Sequence, residues 1–329
     1  MYKKIITLFI SAAMSLLLCI GANAQEDYDG YVYFTIERLT LGQGFAVEPT
    51  KVGFYKTDML IDIAQRFLGD KCVITRSSYG DYISGIKDGG EPKGWTSADI
   101  PKPVMEKLIT VGERYEPEIL TDEDYPHQVA PGEWQSSSGW SFTIDDVSLN
   151  LGASSVSYGE DTSTGEHFAN NSVVRLQYTM YGYGMDIGGG WGVNEFADVN
   201  TFADKSALIK KMADINYANE QADYGKSYTA AMMVLEDWDA TAYEIQNAVN
   251  NLRKTVKITK TETDAQITLD VVTTEKTDIY VAFYNSDFTL KAAKLFELSV
   301  SDKIECKKEG SSYKIFVWYN MFPLESEIQ

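Results

Sequence analysis

The chain is poor in the residues from which most catalytic and metal sites are built. It has only two histidines, His127 and His167. Each sits in a stretch that reads as a loop, they are not at metal-ligand spacing, and no HExxH or GxSxG motif occurs. Both read as solvated loop histidines. Cysteine is also scarce: Cys19, Cys72 and Cys306, with no redox or metal-site partner near any of them. Positive charge is in deficit, 29 basic against 48 acidic residues for a net −19. Such a chain repels nucleic acid and anionic membrane, because phosphate binding needs clustered Lys and Arg. The acid reads as solubility, since no D-x-D-x-D-G calcium loop is present. Adjacent carboxylates, Asp145-Asp146 and Glu236-Asp237, fit a turn and a helix surface. Gly188-Gly189-Gly190 lacks the Lys-Ser/Thr of a phosphate loop. No catalytic residue, cofactor or metal is assigned, and the chain is not expected to be an enzyme.

Long apolar runs are absent after the first twenty residues. Lys3 and Lys4 precede an apolar run from Ile5 to Ile20, followed by Ala22-Asn23-Ala24. The run is short for a membrane span, which needs about 20 apolar residues. Basic start, apolar middle and A-x-A end form a secretory signal peptide, residues 1–24, with Gln25 as the first mature residue. Leu18 stands where lipoprotein processing favours Gly, Ala or Ser, so anchoring at Cys19 is the less favoured alternative. Loss of Lys3 and Lys4 leaves 27 basic against 48 acidic residues, a net −21. A secreted or periplasmic chain without a transmembrane segment is expected. Cys72 and Cys306 read as buried thiols in different domains.

Three periodicities follow. From Tyr31 to about Tyr183 the pattern is strand-like, with Tyr31, Tyr33, Thr35 and Glu37 alternating against Val32, Phe34, Ile36 and Arg38. Thr57 is expected to cap a helix striped by Leu60, Ile63, Phe67 and Leu68 and ended by Gly69. Pro103 to Ile109 suggests a second, short helix. Trp140–Ile144 and Val147–Leu151 flank a two-residue turn at Asp145-Asp146. From Asp204 to about Val256 the spacing is helical in three stretches, with Thr241 and Glu244 at capping-box spacing. From Gln266 to Trp318 the period returns to two, with turns at Asn285-Ser286-Asp287 and Gly310-Ser311, as in a β-sandwich. The expected fold is mainly β: an α+β unit over 25–190 with an antiparallel sheet and one or two helices, a three-helix bundle over 191–256, and a C-terminal sandwich over 257–329.

Three segments carry resemblances. GQGFAVEPTKV, the helix after Thr57, SGW and VVRLQYTMYGYGMDIG, in that order, resemble the transcobalamin-like C-terminal domain, an extracytoplasmic β-rich module named after cobalamin carriers. Asp145-Asp146 and Asn170-Asn171 depart from its usual turn sequences but remain turn-forming. YTAAMMVLED and ATAYEIQNAVNNLRK resemble the three-helix FIVAR modules that act as spacers in bacterial surface proteins. YVAFYNSDFTLKAAK and YKIFVWYNMFPL look like the immunoglobulin-like tail domains of secreted bacterial proteins.

These resemblances imply a secreted multi-domain binding or interaction protein, a surface-associated adhesin or a scavenger. Its partner would be a small molecule, a glycan or a protein at the cell surface, and the chain is expected to be monomeric. A cobalamin or corrinoid binder is the alternative, weakened because carriers of that family add a large helical barrel, for which the helical segment here is far too short. A glycan-binding accessory or glycan-processing protein is the second. A ligand site, if present, is expected where aromatics meet glycines, at Trp140, Tyr181, Tyr183, Asp186 and Trp191. The rings would stack on a ligand approaching the backbone of Gly182 and Gly184.

Overall fold

The computed structural model describes residues 27–77, 80–87, 101, 102, 104, 139–149, 151–179, 184–188, 202–273, 276–319 and 322–328. The expected second helix, the loop with His127, the glycine pair Gly189-Gly190, and Tyr181, Tyr183 and Trp191 therefore lie largely or wholly outside the described residues. Within them the chain is mainly β, with several antiparallel ladders and few helices.

Alternation in β1 (Gly30–Glu37) sorts its side chains onto two faces of a five-stranded sheet. The sheet adds β2 (Phe45–Phe54), β5 (Gly139–Ile144), β6 (Val147–Ser148) and β9 (Val173–Thr179), in the order β2-β1-β9-β5-β6. It is mixed rather than wholly antiparallel as expected: β9 runs parallel to β1, Thr35 opposite Arg175. A parallel neighbour needs a long crossover, and over a hundred residues separate these strands. Two short ladders flank the sheet, β3 (Cys72–Ser77) with β4 (Gly80–Ile86), and β7 (Ser157–Tyr158) with β8 (His167–Phe168).

Val32, Phe34 and Ile36 point to one face, where they pack with Leu176, Phe142 and the apolar stripe of α1 (Leu60–Leu68). Phe34 meets Phe67 edge to face at 5.6 Å. The helix begins later than Thr57: its N-cap is Met59, whose N–H donates to the Asp62 carboxylate at 2.8 Å. Asp58 is drawn elsewhere, accepting from Tyr55 N–H at 2.8 Å and pairing with Arg66 at 2.7 Å. Gly69 ends the helix at φ 61, as expected.

The opposite face is also covered. α2 (Ser206–Tyr217) lies across it, with Leu208, Ile209, Met212 and Ile215 sharing one core with Tyr33 of β1 and Val173 of β9. A single helical turn α3 (Gln221–Tyr224), then α4 (Lys226–Glu236) and α5 (Ala242–Asn251), complete the helical segment. The capping box forms: Thr241 Oγ1 accepts from Glu244 N–H at 3.2 Å and Glu244 accepts from Thr241 N–H at 2.8 Å. Of the adjacent methionines, Met232 is buried and Met233 is exposed. A short strap leads on, with Thr255 N–H donating to the Asp223 carbonyl at 2.6 Å and Lys254 pairing with Glu220 at 2.8 Å.

The remaining strands form two facing sheets. β10 (Lys257–Glu262), β11 (Gln266–Val272) and β14 (Asp302–Lys307) make one. β13 (Leu290–Leu298), β12 (Thr277–Tyr284), β15 (Ser312–Tyr319) and β16 (Phe322–Ile328) make the other. Ile267, Leu269, Ile279, Val281, Ile315 and Val317 fill the space between. The lysine-bearing β14 is an edge strand, as its charge pattern suggests. Cys306 lies in this core and Cys72 packs against the first one; both are free thiols. Burial pushes Cys72 up to about 11 and raises Cys306 as well.

Asp145 and Asp146 take φ 47 and 67 in the β5–β6 turn. The Asp145 carboxylate also staples the turn to β9, accepting from Val173 N–H and from Ser172 Oγ, each at 2.8 Å. Asp145→Ala removes both acceptors and the tolerance for positive φ, and is expected to cost about 1–3 kcal/mol. Asp145→Asn keeps an acceptor and should cost less. Chemical denaturation of the three proteins measures the order, and equal midpoints for Asp145→Ala and wild type would remove the staple.

Candidate functional site

Beyond Tyr33 and Val173, the helix-covered face of the sheet turns polar. Thr35 and Glu37 of β1, Arg175, Gln177 and Thr179 of β9, and Thr143 of β5 are all buried there. Strand alternation puts them on one face, and the parallel β1–β9 register puts Glu37 and Arg175 side by side. Their contact is bidentate: Arg175 Nε donates to Glu37 Oε1 and Nη2 to Oε2, both at 2.8 Å. Thr35 Oγ1 donates to Glu37 Oε1 at 2.6 Å, and Arg175 Nη1 reaches Asp146 at 3.3 Å. Gln177 Nε2 donates to Thr143 Oγ1 at 3.1 Å.

The helical side contributes one more charge. Lys205 precedes α2, and its Nζ donates to the carbonyls of Leu235 at 2.9 Å and Asp237 at 2.5 Å, at the C-terminal end of α4. A cation there satisfies orphan carbonyls and meets the negative end of the helix dipole. Trp238 Nε1 donates to the Asp186 carbonyl at 2.8 Å, tying the turn Met185–Ile187 to the same junction. A cavity of about 20 Å³ remains, walled by Glu37, Thr40, Arg175, Gln177, Lys205 and Trp238 among others. That is room for about one water.

Charge balance explains the local acidities. Burial pushes Glu37 toward neutrality, but the Arg175 charge and its two bonds, with the Thr35 hydroxyl, hold its carboxyl below the ordinary value. Burial would also strip the Arg175 proton; Glu37 and Asp146 hold it on. Asp146 is raised, by burial first, with Arg175 opposing. Lys205 falls to about 8, through burial and then Arg175 repulsion, against the pull of Glu37 and Asp237.

The sequence-predicted site residues are placed as follows. Trp140 is half-buried, meets Tyr178 edge to face at 5.4 Å and packs against the α1-side core. Asp186 is fully buried, with the Thr179 hydroxyl donating to its carboxylate. Gly184 and Gly188 take φ 112 and 89, and a Cβ on Gly188 would meet the Phe202 ring at 3.3 Å. Tyr181, Tyr183 and Trp191 lie outside the described residues. His167 is on β8, its Nδ1 3.3 Å from Ser157 Oγ. Among the described residues, no three His, Cys, Asp or Glu side chains gather as metal ligands.

Sequence reasoning passed over Glu37, Arg175 and Lys205. Their signal is conditional: a Glu and an Arg in polar alternation become partners only once β1 and β9 are neighbours. Comparison with protein-family models, curated proteins and solved structures finds no match to this chain.

Two outcomes are expected. Arg175→Met strands the Glu37 charge in a buried site and should cost about 3–5 kcal/mol, while Glu37→Met with Arg175→Met recovers most of it. A double variant no more stable than the single one would show that the pair is not the determinant. For Lys205, the folded value of about 8 lies below the ordinary 10.5. Between those values the unfolded chain binds the extra proton, so stability rises with pH there. Urea midpoints of wild type relative to Lys205→Met should therefore climb from pH 8 to 10; parallel curves would mean that Lys205 does not titrate there.

Proposed function

We propose that the chain is an extracytoplasmic, non-enzymatic binding or interaction protein of three modules. These are a transcobalamin-like unit over 25–190, a FIVAR-like three-helix unit over 191–256 and an immunoglobulin-like unit over 257–329, behind a signal peptide. The observation that carries this reading is the saturation of the buried charges. Glu37, Arg175, Asp146 and Lys205 are engaged with one another and with backbone carbonyls around a cavity of about one water. Groups so engaged hold two layers together rather than wait for a substrate. The two-sheet packing of the C-terminal strands suits a display unit, whereas the helices before it share a core with the first sheet. Among the described residues no helix is long and apolar enough to cross a membrane.

The ligand site of this reading is the set Trp140, Tyr181, Tyr183, Asp186 and Trp191. Aromatic anchors of this kind contribute about 1–2 kcal/mol each. Replacing Trp191 and Tyr183 together with alanine should weaken binding by about tenfold or more, with an unchanged far-UV spectrum. The ligand class is read from a glycan array and from a spectral titration with cobalamin. A cobalamin spectral shift that the double variant abolishes would make the corrinoid alternative the better reading. Intact mass tests the address: the secreted form should begin at Gln25, and an acylated Cys19 would place the protein on a membrane instead.

A further inference from the structure

Large apolar side chains exposed on this chain are not spread evenly. Of the eleven among the described residues, four fall between positions 288 and 300: Phe288, Leu290, Leu295 and Val300. They belong to β13 and its two flanking turns. β13 is an outer strand of its sheet, bonded to β12 on one side, and its other edge meets no strand among the described residues. Other edges of the chain are blunted. β2 contains Pro49, and its Pro49 and Gly53 carbonyls accept from Asn216 and Arg66 at 2.7 and 3.2 Å. β14 exposes Lys303, Glu305 and Lys307. β13 runs for nine residues without proline. Lys294, which stands opposite Val281 and so on the core side, is an inward charge of the kind that discourages edge pairing. Glu309 takes it up at 2.6 Å.

The sequence of β13, Leu290 to Leu298, is complementary to itself when two copies run antiparallel about a two-fold axis at Lys294. Residues of one parity share a face. On the outer face, Lys291 then stands opposite Glu297 of the second copy, and Ala293 opposite Leu295. On the inner face, Leu290 meets Leu298 and Ala292 meets Phe296, so small residues oppose large ones. Lys294 meets its own copy, each already paired with Glu309. The same register brings the turn with Phe288 beside the turn with Val300. All four exposed apolar side chains gain cover in this one arrangement. Sliding it by two residues sets Lys291 opposite Leu295, or Glu297 opposite Ala293, and loses both ion pairs.

Both charges have reason to take such a partner. Glu297 stands opposite Asp278 of β12, an unfavourable like-charge pair, and Lys276 reaches it only at 3.9 Å from an exposed position. Lys291 is exposed and makes no ion pair among the described residues; Glu309 is near enough to feel it but is bonded to Lys294.

We propose that two copies of this chain associate by antiparallel pairing of β13 with β13, joining their four-stranded sheets into one, with Lys291–Glu297 ion pairs across the axis setting the register. This is strand addition used isologously. A second copy is the occupant because the nine positions match themselves in charge and size. Residues 257–329 carry 9 lysines against 12 acids, a net −3, so little repulsion opposes the approach of two sandwiches at physiological salt. A single edge lies at the small end of interface sizes, so the dimer is weak and the chain is monomeric, as its sequence suggests, only when dilute. The pairing uses neither Trp140 nor Asp186, and it stands or falls apart from the ligand reading above.

Sedimentation equilibrium of the full mature chain, from about 1 to about 300 µM, tests this. Wild type should pass from monomer to dimer across that range. Lys291→Glu and Glu297→Lys each set like charges opposite one another, and each alone should weaken dimerisation at least about tenfold with a thermal midpoint close to that of wild type. Combined in one chain, the two changes restore opposite signs and the dimer should return. An equimolar mixture of the two single variants should form a heterodimer, because the signs then match between chains. A monomer at every concentration overturns the proposal. So does a dimer that the single variants leave unchanged, or a loss that neither the double variant nor the mixture repairs.

Discussion

The N-terminal half of the structure depends on the buried ion pair between Glu37 and Arg175. These residues sit on neighbouring parallel strands, more than 130 positions apart, and their bidentate contact fixes the register of β1 against β9 from the side. Moving either strand by one residue would turn one partner toward the α1 core. An unpaired carboxylate or guanidinium in that layer would cost several kcal/mol. The pair therefore acts as a specificity device: it makes wrong registers expensive more than it makes the right one cheap. Thr35, Asp146, Gln177 and Thr143 extend the same logic across the sheet by satisfying the remaining polar groups.

The sheet consequently serves two masters. One face packs Val32, Phe34 and Ile36 against α1, and the other gives Tyr33 and Val173 to the core of α2, α4 and α5. Lys51 reinforces this second junction, pairing with Asp214 at 2.9 Å while its Nζ lies 5.4 to 5.7 Å from the ring centres of Tyr31, Tyr33 and Tyr217. A sequence-level change of period marks where one kind of element gives way to another. It does not say whether the two kinds share a core, and here they do. The strap to the sandwich is different in kind, made of backbone and surface contacts around Thr255 and Lys254.

Much of the fold was legible because apolar periodicity reports burial directly. The β1 alternation, the stripe of α1, the Asp145-Asp146 turn, the Thr241–Glu244 box and the two-residue period of the sandwich all appear as read. The start of α1 was misread at Thr57: the carboxylate of the next residue, Asp58, is claimed by Tyr55 and Arg66, and the cap falls at Met59. The polar face of the sheet was illegible for a deeper reason. Thr35, Glu37, Arg175 and Gln177 alternate with apolar residues as a solvent-facing row does, and only the tertiary placement of α2 and α4 turns that row inward. Of the residues singled out as a ligand site, Trp140 and Asp186 are placed, and both take part in packing or internal hydrogen bonds. Aromatics beside glycines are visible in sequence, but whether a ring faces a core or a cleft is a property of the neighbours it acquires.

The same limit applies to charge. A net −19 suggests one uniformly acidic surface, yet residues 257–329 carry only −3 of it. Uneven charge has a physical consequence that net charge hides. At physiological ionic strength, about 8 Å of screening separates one end of a domain from the rest, so a surface meets its partner with its local charge and not with the chain's total. The sandwich carries acids as densely as the rest of the chain but more lysines among them, and it is there that the structure leaves a phenylalanine exposed in a backbone conformation better suited to glycine. Strain without burial is stable only where the surrounding turn over-determines it, and the hydrogen bonds of Asn285, Asp287 and Thr289 do so.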